Sequence, residues 1–283
     1  MYNLRYHIAS LVAVFLSLSI GLLLGTIVVE RGTLDRQKET IVNSLREEFR
    51  TLDAANSELR ERAASREDLV EDLLPIVIDG QLADQHILVI AGTGRVDGLS
   101  TLTEAIRSAG GVPITMILSA ERFGLDDPAI SAVVTDTVDP PIDVGALFES
   151  VVAALGAEWA SPVAERSLTV RLEDAGVLRM DGDADPARPV DGIVTLAALG
   201  DGPESGALSF AAVLADAGIP AIGVEATSQS TGVAAAAVEE GLSGVDHIGT
   251  PEGTYSLVYV LTGRASGHFG YGDGAVAPWP SLQ

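Results

Sequence analysis

The residues in this chain whose types could hold a soft metal or a phosphate are four histidines (His7, His86, His247 and His268), Met1, Met116 and Met180, and short acidic or glycine-rich turns. There is no cysteine, which excludes disulfides, thiolate metal centres and cysteine nucleophiles. The histidines are scattered, none at the spacing of a metal-ligand pair, so soft-metal chemistry has little to draw on. Asp181-Gly182-Asp183-Ala184-Asp185 has the opening of an EF-hand loop, yet Pro186 stands where glycine is required and Gly192 where glutamate is required. A solvated acidic turn is the better reading. Gly92-Thr93-Gly94-Arg95-Val96-Asp97-Gly98 lies between a strand-like and a helix-like segment, the place of a nucleotide-binding turn, but its spacing is GxGxxxG rather than GxGxxG. A plain connecting turn is the simpler reading there. The equivalent turn Gly200-Asp201-Gly202-Pro203-Glu204-Ser205-Gly206 carries acids that would repel phosphate. With no G-x-S-x-G elbow, HExxH or Walker A sequence, no catalytic residue and no cofactor is expected, and the chain reads as a binding protein rather than an enzyme.

The elements that would position these residues follow an alternating pattern. Apolar runs at His86 to Ala91, Val112 to Leu118, Gly192 to Leu199, Ile219 to Val224 and Val245 to Ile248 read as strands. Ala-rich stretches near 98–109, 144–157, 164–178, 204–217, 230–241 and 254–263 read as helices. This is an α/β domain, Rossmann-like, with a mostly parallel sheet covered by helices on both faces. Two segments share one βαβ plan: Ala109-Gly110-Gly111-Val112-Pro113 and Ala217-Gly218-Ile219-Pro220 each place a glycine helix cap and a proline before or at a strand start. Duplication and convergent βαβ chemistry both account for the likeness.

Ahead of this domain, Ile8 to Val29 forms 22 consecutive uncharged positions, 14 of them Leu, Ile, Val or Phe. At about 1.5 Å per residue they reach about 33 Å, enough to cross a bilayer core once. The run exceeds a signal-peptide core and no A-x-A-like site follows it, so a retained anchor is expected. Arg5 alone precedes the span, while Arg31, Arg36, Lys38 and Arg46 follow it, a count that argues for the reverse topology. Those residues alternate with Glu30, Asp35, Glu39 and Glu47, and a short basic tail is ordinarily kept inside. The expected topology is therefore a cytoplasmic N-tail with the bulk of the chain outside. Small residues recur at every fourth position, Ala9, Ala13, Ser17, Gly21 and Gly25, a ridge that lets two transmembrane helices approach closely.

The division expected is 1–29 for N-tail and span, 30–74 for a stalk ended by Pro75, and 75–283 for the α/β domain with its Gly/aromatic-rich tail. In the stalk, an a/d register with a at 38, 45, 52, 59, 66 and 73 and d at 34, 41, 48, 55, 62 and 69 is apolar or Ala at eight of twelve positions. Leu45, Leu52 and Leu59 carry the seam of a coiled coil, and a parallel homodimer is the economical reading because a lone exposed helix is marginal in water. From 75 onward there are 28 Asp and Glu against 8 Arg and no Lys, which disfavours nucleic acid and anionic lipid as partners for the domain. The tail Gly263 to Gly274 alternates glycine with aromatic residues before Pro278-Trp279-Pro280, and reads as a segment folded back over the domain or as a partner-binding arm.

Leu4-Arg5-Tyr6-His7, the span ending in Gly21-Leu22-Leu23-Leu24-Gly25, the stalk, and the closing Gly267-His268-Phe269-Gly270-Tyr271-Gly272 together resemble the actinobacterial family labelled copper transport protein MctB, over the full length. The resemblance implies a role in copper efflux or tolerance at the cell envelope. Similar proteins are also linked to septal cell-wall assembly, as partners of a division protein and of peptidoglycan hydrolase control. By resemblance the leading expectation is copper transport and homeostasis, with an envelope or division scaffold that binds partner proteins and regulates peptidoglycan hydrolysis as the alternative. If copper binds, His86, His247 and His268 with nearby carboxylates are the residues to search.

Overall fold

A computed structural model describes residues 4–92, 98–135, 144–182, 185–196, 206–226 and 232–281, with side chains left aside at 28–37 and 144–145. The chain divides into two compact units, Met1–Asp68 and Leu69–Gln283.

The first unit is helical. It belongs to α1 (Leu4–Ile78), whose segment Leu4–Ile27 is long and apolar enough to cross a membrane. Helix α1 does not stop at Pro75 as expected but carries it in its last turns and ends at Ile78. Proline costs a helix one backbone hydrogen bond and a ring clash. Here tertiary packing prevails, because Ile78 and the following Leu82 are buried in the core of the second unit.

The second unit is a three-layer α/β sandwich. Its strands are β1 (His86–Gly92), β2 (Val112–Leu118), β3 (Leu178–Asp181), β4 (Gly192–Thr195), β5 (Ala221–Val224), β6 (Ser243–Val245) and β7 (His268–Phe269). They form one sheet in the order β3-β2-β1-β4-β5-β6-β7. Every adjacent pair is parallel except β2 with β3. The helices are α2 (Leu99–Ser108), α3 (Pro128–Thr135), α4 (Val144–Ala160), α5 (Ser167–Asp174), α6 (Gly206–Asp216), α7 (Val233–Glu239) and α8 (Pro251–Leu261).

Burial follows the two-residue period of a strand. Along β1, Leu88 and Ile90 join the core beneath α4, α5, α6 and α7, while Ile87 and Val89 join the core beneath α2 and α8. A strand buried on both faces is apolar throughout, which is why β1 and β2 are legible in the sequence. Both βαβ units form as read, and Gly110 and Gly218 take the left-handed conformation (φ 86° and 85°) after α2 and α6. The stretch 164–178, read as one helix, is instead α5 followed by the antiparallel edge strand β3, and α3 was not anticipated. Among the described residues the strands run from two to seven residues, shorter than the about 9–11 of a transmembrane barrel strand.

Candidate functional site

The chain departs from β6 through Asp246 and His247, at the carboxyl end of a parallel strand, where α/β sheets place their ligands. Its neighbour β7 is the C-terminal tail itself. Gly244 pairs with His268 and Val245 with Phe269, so the next register position sets Gly270 beside Asp246. The Asp246 amide donates to the Phe269 carbonyl (3.0 Å) and continues the ladder by one bond. The tail then turns back, with the Gly270 amide donating to Ala277 (2.9 Å) and the Val276 amide to His268 (2.9 Å), which covers the sheet edge. The segment read as folded back over the domain is therefore an integral strand.

By strand alternation Gly244, Asp246, His268 and Gly270 share one face. The buried Asp246 carboxylate gathers four partners there. Oδ1 accepts from the Tyr271 amide (2.7 Å) and bonds His247 Nδ1. Oδ2 accepts from the Gly272 amide (2.8 Å) and lies 3.1 Å from His268 Nε2. Glycine is required opposite: a Cβ at Gly270 (φ 139°) would fall inside the carboxylate, and one at Gly272 would come within 2.8 Å of Oδ2. Burial pushes the Asp246 carboxyl up, but the Tyr271 amide, the His247 ring and the Gly272 amide outweigh it and hold the group below the ordinary carboxylate range.

A carboxyl whose folded pKa is depressed contributes stability that is fully present above its unfolded pKa, about 4, and is lost as pH falls through the folded value. Urea midpoints taken downward from neutral pH are therefore expected to fall steeply in acid below about pH 4, and less steeply for Asp246→Asn.

His247 differs from His268 in what it offers. His268 is buried, whereas the His247 side chain is one-third exposed (33%). His247 also has left-handed backbone (φ 59°), a conformation that costs a non-glycine residue about 1–3 kcal/mol and clusters at functional sites. The turn is held from both sides. Thr250 donates from its amide (2.8 Å) and hydroxyl (2.9 Å) to the His247 carbonyl, and Thr250 caps α8 by accepting from the Gly253 amide (3.2 Å). Tyr271 stands edge-on to the ring at 5.3 Å. With Nδ1 committed to Asp246, the donor left on His247 is Nε2.

The structure brings together two of the three histidines singled out in the sequence, His247 and His268. His86 opens β1 at the opposite end of the sheet, with its amide on Asp191 (2.8 Å). Glu225, after β5, was not anticipated; its buried carboxylate accepts from the Ala234 amide (3.1 Å) in the first turn of α7. Asp246 was missed as well, and the signal available for it was an Asp-His pair closing a strand. Ala9, Ala13, Ser17, Gly21 and Gly25 lie exposed on the apolar segment of α1, with open space around both glycines, and Leu45, Leu52 and Leu59 are exposed farther along. Residues 93–97 and 200–205 of the two glycine turns, and 183–184 of the acidic turn, lie outside the described residues. Among the described residues there is no group of three or more ligating side chains able to hold a metal.

Fold and site define a class: one apolar helix of membrane-spanning length followed by an α/β domain whose parallel sheet ends in a carboxylate-anchored histidine. The chain belongs to the family described as copper transport outer membrane protein, MctB, whose profile matches residues 1–280. No curated protein and no solved structure matches it.

Proposed function

We propose that this chain is a membrane-anchored, non-enzymatic protein of copper transport and homeostasis, with a cytoplasmic N-tail and an extracytoplasmic α/β domain that works by binding. The observation that carries the reading is His247, a strained residue whose ring is fixed by a buried carboxylate and whose Nε2 is left to bind. Imidazole suits copper, and a carboxylate on the far ring nitrogen is the usual support of a metal-binding histidine. Membership of a copper-transport family supports the same reading. One oriented imidazole holds copper weakly, as cargo in transit, and among the described residues no group of three or more ligating side chains adds to it.

A second reading, an envelope or division scaffold that binds partner proteins and regulates peptidoglycan hydrolysis, is favoured by the acidic domain, with 28 Asp and Glu against 8 Arg. Its partners would be basic proteins. Loss of the protein separates the two. Copper accumulation and copper sensitivity with normal septation support the first, and septation or lysis defects at normal cellular copper overturn it in favour of the second.

A further inference from the structure

Within the second unit, an apolar groove of about 370 Å³ is lined by Val70, Leu73, Leu74 and Val77 of α1, Pro251, Glu252 and Tyr255 of α8, and Trp279 with Pro280 of the tail. Its lining is apolar apart from Glu252 and the Tyr255 hydroxyl. Leu73, Val77 and Trp279 are each close to half exposed (46%, 47% and 48%). Half-exposed apolar side chains gathered in one groove mark an interaction surface, and the helix that forms one wall points to the occupant.

The α1 residues in the groove are spaced 3 and 4 apart, and the same spacing runs back along the helix. Taking Val42, Phe49, Asn56, Ala63, Val70 and Val77 as a, and Leu45, Leu52, Leu59, Arg66 and Leu73 as d, nine of eleven positions are apolar or Ala. The register with Leu45, Leu52 and Leu59 at a instead sets Glu48 and Arg62 in the seam. The groove is lined by 70, 73 and 77, which fall on the a/d seam of the first of these registers, whereas 69 and 76 of the second do not line it. In the new register leucine holds four of five d positions, valine three of six a positions, and a lone Asn56 sits at a. Valine at a with leucine at d favours two parallel strands, and a single buried asparagine fixes register and two-fold state.

We infer that the occupant of the groove is a second copy of this chain. Two α1 helices pair in parallel and in register from Val42 to Val77, and the last turns of one fill the groove of the other. The inference is independent of copper and of the small-residue ridge in the membrane span.

Because the chain has no cysteine, every disulfide formed is one introduced. Single cysteines are placed in the full-length protein, in membranes, at Leu59 and Leu73 on the seam and at Glu61 and Asp68 on the outer face, then oxidised with diamide. These positions are exposed, so folding is retained. The inference expects same-residue dimers at 59 and 73 and loss of that signal at 61 and 68, since a disulfide needs Cα atoms within about 7 Å. Adding Trp279→Ala is expected to reduce cross-linking at 73 while leaving it at 59. Equal cross-linking at all four positions, as from pairing through the membrane span alone, overturns the inference. So does cross-linking at 59 without 73, which would mean that the pairing stops short of the groove.

Discussion

Asp246→Ala is expected to destabilise the α/β domain by about 3–5 kcal/mol, the cost of removing one partner from a buried charged network. Four contacts lose their acceptor at once: the amides of Tyr271 and Gly272 and the rings of His247 and His268. The His268 ring is buried, so its nitrogen cannot simply return to water. For a domain of this size the change corresponds to a thermal midpoint lower by on the order of 10 °C, read by calorimetry. Asp246→Asn, which keeps one acceptor oxygen, should fall between the two. A loss below about 1 kcal/mol for the alanine variant would mean that the carboxylate does not hold the tail in place.

Gly270→Ala is expected to be comparably severe, although it adds only one methyl group. The position has φ 139°, where a side chain is strained, and the added Cβ would overlap the Asp246 carboxylate. Strain and overlap each cost about 1–3 kcal/mol. The second cost depends on Asp246, so in an Asp246→Ala background Gly270→Ala should add only the backbone cost. Sub-additivity of about 1–3 kcal/mol in a double-mutant cycle is the expected result. Full additivity would show that the two residues do not meet.

Sequence made the central elements legible and hid the peripheral ones, for a physical reason in each case. Strands β1 and β2 are seven-residue, largely apolar runs because most of their positions are buried against one helical layer or the other. Strand β3, Leu-Arg-Met-Asp, is a four-residue antiparallel edge with one buried position, too short and too polar to separate from the helix before it. Strand β7 is two residues between glycines, and only its pairing with β6 makes it a strand.

The site was hidden by distance along the chain. Three of the four bonds to the Asp246 carboxylate come from residues 22 to 26 positions later, and no local periodicity reports them. The alternating glycines of 267–272 give no sequence signal of a close contact, whereas Gly270 and Gly272 are glycine because a carboxylate occupies the space a side chain would need. His247 and His268 could be singled out by type, but their common anchor could not. Pro75 shows the opposite error: a correct local rule was overridden by the burial of Ile78.

The central claim, that the domain handles copper through His247, is tested most directly by calorimetric titration of the full-length chain in detergent with Cu(I) and Cu(II) under controlled redox conditions. The account expects saturable binding that weakens at least about tenfold, or 1.4 kcal/mol, in His247→Ala and is unchanged in His86→Ala. Absence of saturable binding, or binding indifferent to His247, would contradict it.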